Sequence, residues 1–169
     1  MGVFVKAKLT MATKTNHSGT RVASVPALEL SIRLSRAYSA VMRRLDNALA
    51  GLHGLSFGDF LVLYHLERAA GGRLRRIDLA ERLGMTASGV TRTLLPLEKL
   101  GLVERQPDQR DARVGYASIT KSGRRVFADA LASAKAVSQE VVQRMPEREG
   151  LAVHGLLATL VGVATTPAM

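Results

Sequence analysis

The sequence predicts a mainly α fold with one small β ribbon, and three observations lead there. Residues 86–100, TASGVTRTLLPLEKL, carry apolar side chains at helical spacing and stop at Gly101. Two short strand-like runs follow at 103–106 and 114–119, and the charged tip DQRDAR stands between them. Stretches with a three-to-four-residue apolar period flank this region, at 27–52 and from Lys121 to about Met145. A helix with a small, polar front and a basic ribbon behind it is the outline of a winged helix-turn-helix. The N- and C-terminal helices are left to form a dimerisation layer.

With 169 residues the chain has room for one domain with a real core and too little for two ordinary ones. Its net charge of +10 is concentrated: residues 73–125 hold twelve Lys/Arg against six Asp/Glu, and residues 126–169 hold three against four. A solubility coat would spread the charge evenly, whereas a concentrated basic surface suits phosphate. No cysteine is present, which excludes disulfides, thiolate metal sites and thiol-based redox sensing. Tryptophan is absent and aromatic residues make up 4%, so stacking on single-stranded bases is poorly supplied. No apolar run reaches the roughly 18 residues of a membrane span, and the N-terminal segment lacks the apolar stretch of a secretion signal. A cytoplasmic address without membrane association is the expectation.

In chain order, residues 1–25 are basic, rich in Thr and Ser and without period, which reads as a flexible basic tail. Residues 26–53 read as an N-terminal dimerisation helix. One line at helical spacing, Leu28, Ile32, Ser35, Met42, Leu45, Leu49 and Leu52, runs beside a second, Leu30, Leu34, Ala37, Val41 and Ala48. That width exceeds what one intramolecular contact consumes, so a partner chain is expected. Residues 54–120 read as the DNA-binding region. Ser56 is its first N-cap, with Asp59 three residues on and Leu55 and Phe60 at the two staple positions. The helix ends at AAGG, 69–72, and RLRR, 73–76, reads as a short extended piece. Leu79, Ala80 and Leu83 form the buried face of the next helix, which turns at Gly84.

Thr86 then caps a recognition helix whose inward stripe is Val90, Leu94, Leu97 and Leu100. Gly101 fits the left-handed position after it, with Leu97 and Leu102 as the accompanying apolar pair. Pro96 lies inside this helix and predicts a kink or loosened turn near Arg92, not a break. In the ribbon, Gly115, Ala117 and Ile119 should face the core. Residues 121–165 supply the C-terminal helices of the dimerisation layer. Pro146 starts the last one, whose apolar positions are Leu151, Leu156, Leu157, Leu160 and Val161.

A helix that enters the major groove needs short side chains at its front. Thr86, Ala87, Ser88, Gly89 and Thr91 supply them, and Ser88 and Thr91 can donate to phosphates or base edges. Arg92 can reach a phosphate or a guanine. At the ribbon tip Asp108, Arg110, Asp111 and Arg113 spell D-x-R-D-x-R. An acid two positions before an arginine can hold its guanidinium in a fixed fork, suited to a narrow and negative minor groove.

These residues carry a family resemblance. LAERLGMTASGVTRTLLPLEKLGLVERQ at 79–106, DQRDARVGYASIT at 108–120 and KSG at 121–123 resemble the MarR family of bacterial transcriptional regulators, a likeness that spans about 27–160. The resemblance implies a two-fold dimer with one winged lobe per subunit. On it Arg113 is the minor-groove arginine, Asp111 its orienting partner, and Ser88, Thr91 and Arg92 the major-groove contacts. It also implies repression of transcription and release of double-stranded DNA when a small, often phenolic or anionic, ligand binds.

Arg33, Tyr38, His53 and His65 are the candidates for lining such an effector pocket, Arg to pair an anion and Tyr or His to orient it. The histidines His17, His53, His65 and His154 show no metal-ligand spacing, so no metal and no cofactor are expected. No phosphate loop or nucleophile triad is written here, which argues against an enzyme. An architectural protein that binds DNA by charge and shape is the other reading, and the polar front of the recognition helix weighs against it.

Overall fold

The computed structural model describes residues 26–108 and 115–162. It divides into two compact units, Met1–Ala40 and Val41–Met169. The first helix, α1 (Ala27–His53), begins in one and ends in the other. In the first unit its side chains are largely exposed, Leu28, Leu30, Ile32 and Tyr38 among them. There Glu29 pairs with Arg33 at 2.7 Å, one helical turn on.

The second unit follows the order α2 (Phe57–Glu67), a 3-10 turn (Ala70–Gly72), β1 (Arg73–Arg75), α3 (Arg76–Leu83), α4 (Ala87–Lys99), β2 (Val103–Pro107), β3 (Gly115–Ile119), α5 (Lys121–Val142) and α6 (Glu147–Val161). The three strands make one antiparallel sheet in the order β1-β3-β2. Leu74 lies opposite Ala117, and Val103 opposite Ile119. These four side chains are buried and close one side of the core. Leu45 and Leu49 from the end of α1 join it, with Phe60, Leu63 and Leu66 of α2, Leu79 of α3, Val90, Leu94 and Leu97 of α4, and Phe127 and Ala130 of α5.

The local signals decide the helix ends. Ser56 and Asp59 form a capping box: Ser56 Oγ accepts from the Asp59 amide at 3.1 Å, and the Ser56 amide donates to Asp59 Oδ2 at 3.0 Å. Leu55 and Phe60 are both buried around it. At the end of α4 the Leu102 amide bonds to the Leu97 carbonyl at 2.9 Å and the Gly101 amide to Glu98 at 3.0 Å. Gly101 takes φ +67, and Leu97 and Leu102 are buried, so the expected C-terminal motif is present.

Three expectations are adjusted. Leu100 is 63% exposed and is the C-cap, not part of the inward stripe. At 100° per residue, ten residues from Val90 carry it about 80° off that stripe. Ser118 of β3 is buried along with Ala117 and Ile119, whereas Gly115 is half-buried. Helix α5 stops at Val142 with Gln143 as its C-cap, ahead of Met145, and Pro146 disfavours a helical conformation at Met145 itself. Pro96 sits on the exposed side of α4, and the helix runs through without a break.

Thr120 fastens α5 to the end of α4. Its hydroxyl donates to the Gly101 carbonyl at 2.7 Å and accepts from the Gly123 amide at 3.0 Å. Gly123 is needed because no space is left for a side chain: a Cβ on it would lie 2.1 Å from the Leu102 carbonyl oxygen, a backbone atom that cannot step aside. Gly123→Ala is therefore expected to destabilise the fold by about 2–3 kcal/mol, read as a lowered urea-unfolding midpoint. An unchanged midpoint would show that α5 does not dock this closely.

Candidate nucleic-acid interface

The front of α4 is built by its cap. Thr86 has extended backbone, φ −76° and ψ 157°, and its hydroxyl accepts from the Gly89 amide at 3.1 Å. Ser88 Oγ lies 3.1 Å from the same oxygen. Ala87, Ser88 and Arg92 are exposed, and Gly89 and Thr91 are half-buried. The Thr91 hydroxyl is already engaged: it donates to the Ala87 carbonyl at 2.9 Å and accepts from Arg76 Nη2. Ser88 and Arg92 are thus the longer polar groups of this front that project to solvent, while Thr86, Gly89 and Thr91 shape the turn behind them. Beside it runs an open groove of about 530 Å³ between the starts of α2 and α4, with Ser56 and Asp59 on one wall and Thr86 and Arg92 on the other.

Arginines crowd the neighbouring sheet edge. Strand β1 alternates exposed, buried, exposed, so Arg73 and Arg75 point away from the core on either side of Leu74. The Arg73 guanidinium lies 5.0 Å from the centre of the Tyr116 ring, and Arg75 Nε donates to the Tyr116 hydroxyl at 3.4 Å. That hydrogen bond, then the charges of Tyr116, Asp78 and Asp108, raises the Arg75 guanidinium pKa further above its ordinary range. The alternation was present in RLRR, yet reading the run only as an extended connector missed its outward arginines. Arg110, Asp111 and Arg113 of the expected wing tip lie outside the described residues.

The four effector candidates are divided between the two units. Arg33 and Tyr38 lie in the first unit, the former in its pair with Glu29. His53 Nε2 sits 2.8 Å from Ser133 Oγ and links the end of α1 to α5. His65 packs edge-on against Tyr64, with ring centres 5.4 Å apart. None of the four lines the cavity of about 420 Å³ that opens between α2 and α5. Phe57, Phe60 and Tyr64 form one wall of it, and Leu131, Ala134 and Lys135 belong to the other. Among the described residues no group of three or more His, Cys, Asp or Glu could hold a metal ion, and no helix is long and apolar enough to cross a membrane.

A capped helix with a polar front, packed beside an antiparallel three-stranded ribbon, defines a winged helix-turn-helix protein. Residues 53–114 match the family model described as MarR family. The HTH-type transcriptional repressor MdtR of Bacillus subtilis is 30% identical over 113 residues, which cover 67% of this chain and 72% of that one. The chain belongs to the MarR family of transcriptional regulators. Among solved structures, the MarR family regulator Sco3205 from Streptomyces coelicolor, in complex with DNA, superposes with a TM-score of 0.75 at 22% identity, over 85% of this chain and 96% of that one. CouR from Rhodococcus jostii RHA1, bound to p-coumaroyl-CoA, superposes with a TM-score of 0.70 at 25% identity, over 85% of this chain and 100% of that one. These relatives are transcriptional regulators, not enzymes.

His65 supplies a pH test of the packing behind this interface. Burial, then the charges of Arg82 and Arg68, holds its imidazole below the ordinary 6.5. The native fold therefore prefers the neutral ring, and the unfolded chain takes up the proton first. Stability present above pH 6.5 is lost as pH falls from there towards the lowered native value. Urea-unfolding midpoints should drop between about pH 7.5 and about pH 5.5, and drop less in His65→Gln. Equal drops in both proteins would remove His65 from the account.

Proposed function

We propose that this regulator is a sequence-reading repressor that acts in the cytoplasm as a homodimer and releases double-stranded DNA when a small aromatic or anionic ligand binds. The observation that carries the DNA reading is the front of α4, where Ser88 and Arg92 project from a capped helix end beside the exposed Arg73 and Arg75. Short side chains let the helix backbone approach the major groove, Arg92 reads a guanine or grips a phosphate, and the helix N-terminus adds its attraction for phosphate. On the family resemblance Arg113, with Asp111 near it in sequence, reads the adjacent minor groove. The domain division follows: 1–25 as a basic tail, 26–53 and 121–165 as dimerisation helices, and 54–120 as the DNA-binding region.

The ligand reading rests on the cavity between α2 and α5. Its aromatic wall of Phe57, Phe60 and Tyr64 suits a ring, and the exposed Lys135 suits an anionic group at its mouth. The ligand bound in the CouR structure, p-coumaroyl-CoA, combines an aromatic group with anionic ones. Helix α2 provides the mechanical link, because it lines this cavity and its first residues flank the groove beside α4. A ligand that shifts α2 therefore moves the seat of the recognition helix. The dimer reading rests on apolar faces: Leu28 is 73% exposed on α1, and Leu156 and Leu160 are 65% and 66% exposed on α6.

Selection from a random duplex pool at roughly physiological salt tests the core of this reading. The expected product is a palindrome with half-sites about one helical turn apart. Ser88→Ala and Arg92→Ala should each cost about 1–3 kcal/mol on the selected duplex. No enriched motif, with binding that only fades as salt rises, would replace it by architectural binding. Sedimentation should give a dimer that Leu156→Asp with Leu160→Asp converts to monomer; a wild-type monomer at micromolar concentration would overturn the dimer.

A further inference from the structure

One side chain touches both elements that the DNA reading requires. Arg76 opens α3 directly after the arginines of β1, and it is half-buried. Its Nη2 donates to the Thr91 hydroxyl on α4, and that hydroxyl passes the bond on to the Ala87 carbonyl in the first turn of the recognition helix. The stem of the same arginine lies against the first residue of β3, where the ribbon emerges from its tip. A Cβ on Gly115 would stand 3.2 Å from Arg76 Cδ, tighter than ordinary contact. The residue thus spans from the front of α4 to the base of the wing.

We propose that Arg76 is a positioning residue that fixes the recognition helix against the wing base, and so sets how well the protein tells its own site from other DNA. The proposal rests on the sequence-reading function above. A reader with two probes in neighbouring grooves discriminates only if the distance between them is held. A misplacement of about 1 Å is felt strongly in any preorganised site. A rigid, planar guanidinium suits this task. Lysine, a point charge on a flexible stem, does not replace it at a fixed hydrogen bond. Thr91, for its part, acts here as the acceptor of the brace, which removes its hydroxyl from the set available to bases.

The test compares affinity for the selected duplex with affinity for random duplex, in the full chain. Arg76→Met keeps the stem and removes the donors, Thr91→Val keeps the shape and removes the acceptor, and Arg76→Lys keeps the charge. Each is expected to lower the ratio of the two affinities about five-fold or more while random-duplex binding changes less than about two-fold. Arg76→Met combined with Thr91→Val should be no worse than either alone, since both remove one interaction. Gly115→Ala, which crowds the stem, should act in the same direction. Amide exchange should quicken over 87–91 and 115–119 in Arg76→Met and stay as it was in α5. Faster exchange with full discrimination would make Arg76 merely structural and overturn the proposal. So would an equal loss on both duplexes that Arg76→Lys restores, with a salt slope smaller by about one, because that is the behaviour of a phosphate contact. A wild-type protein that does not discriminate at all overturns the sequence-reading function and this proposal with it; a discriminating wild type with unaffected variants overturns this proposal alone.

Discussion

The second unit depends on the burial of α2, an 11-residue helix packed against α3, α4, α5 and strands β1 and β3. Phe60, Val62, Leu63 and Leu66 are buried along its length. A helix that is apolar on most of its circumference has to be covered on most of it. At roughly 1.5–3 kcal/mol for each fully buried large side chain, that burial outweighs the roughly 1 kcal/mol of its N-cap several times over. The cap is still needed, because it decides where the burial happens. Ser56 and Asp59 close the helix start between them, and Asp46 of α1 accepts from the Phe57 amide at 2.7 Å. Three contacts at one helix end fix the direction in which the aromatic wall and the groove beside α4 are aimed.

What the sequence made legible is what is local. Caps and C-terminal motifs work over three to five residues, so Ser56, Thr86 and Gly101 could be placed from residue types alone. Stripes are legible for two or three turns and then drift: spacing points Leu100 inward, but it is exposed, and Leu102, past the glycine turn, is buried. Contacts between elements left no trace in the pattern. Arg76 and Thr91 are 15 residues apart, and His53 and Ser133 are 80 apart. The cavity was unreadable for a related reason. Phe57, Phe60 and Tyr64 look like core residues in any buried helix, and room appears beside them only because α5 presents short side chains, Ala134 and Ser138, opposite. Residue type alone points to Arg33, Tyr38, His53 and His65, and none of these is among the residues that line this cavity.

Part of the basic charge is offset locally, since the charges of Asp78 and Asp108 act on Arg75. The ion pairs Glu29–Arg33 and Glu67–Arg124 are both well exposed, and such pairs contribute little to stability in water. Arg73 and Arg75 share a tyrosine, whose ring and hydroxyl hold their direction without cancelling their charge. Arg73 and Arg75 thus remain at the surface, where a phosphate backbone can approach them. This is the arrangement expected when a surface is kept for an anion, since paired arginines would have to be parted before they could bind one.

The last helix carries the same logic for apolar surface. None of the described side chains of α6 is buried, and Leu151, Leu156 and Leu160 are each more than 60% exposed. A 15-residue helix stands near the limit of what is stable alone in water, even with favourable composition. Gly162 closes its end in the left-handed conformation, but Pro146 offers no side-chain hydrogen bond to the free amides at its start. The helix therefore draws its stability from whatever covers its leucines. If that cover is a second copy of the chain, folding of this end and assembly are one equilibrium, and the thermal midpoint must rise with protein concentration. In that case the spacing of two reading heads would be a property of the assembled protein and not of the single chain.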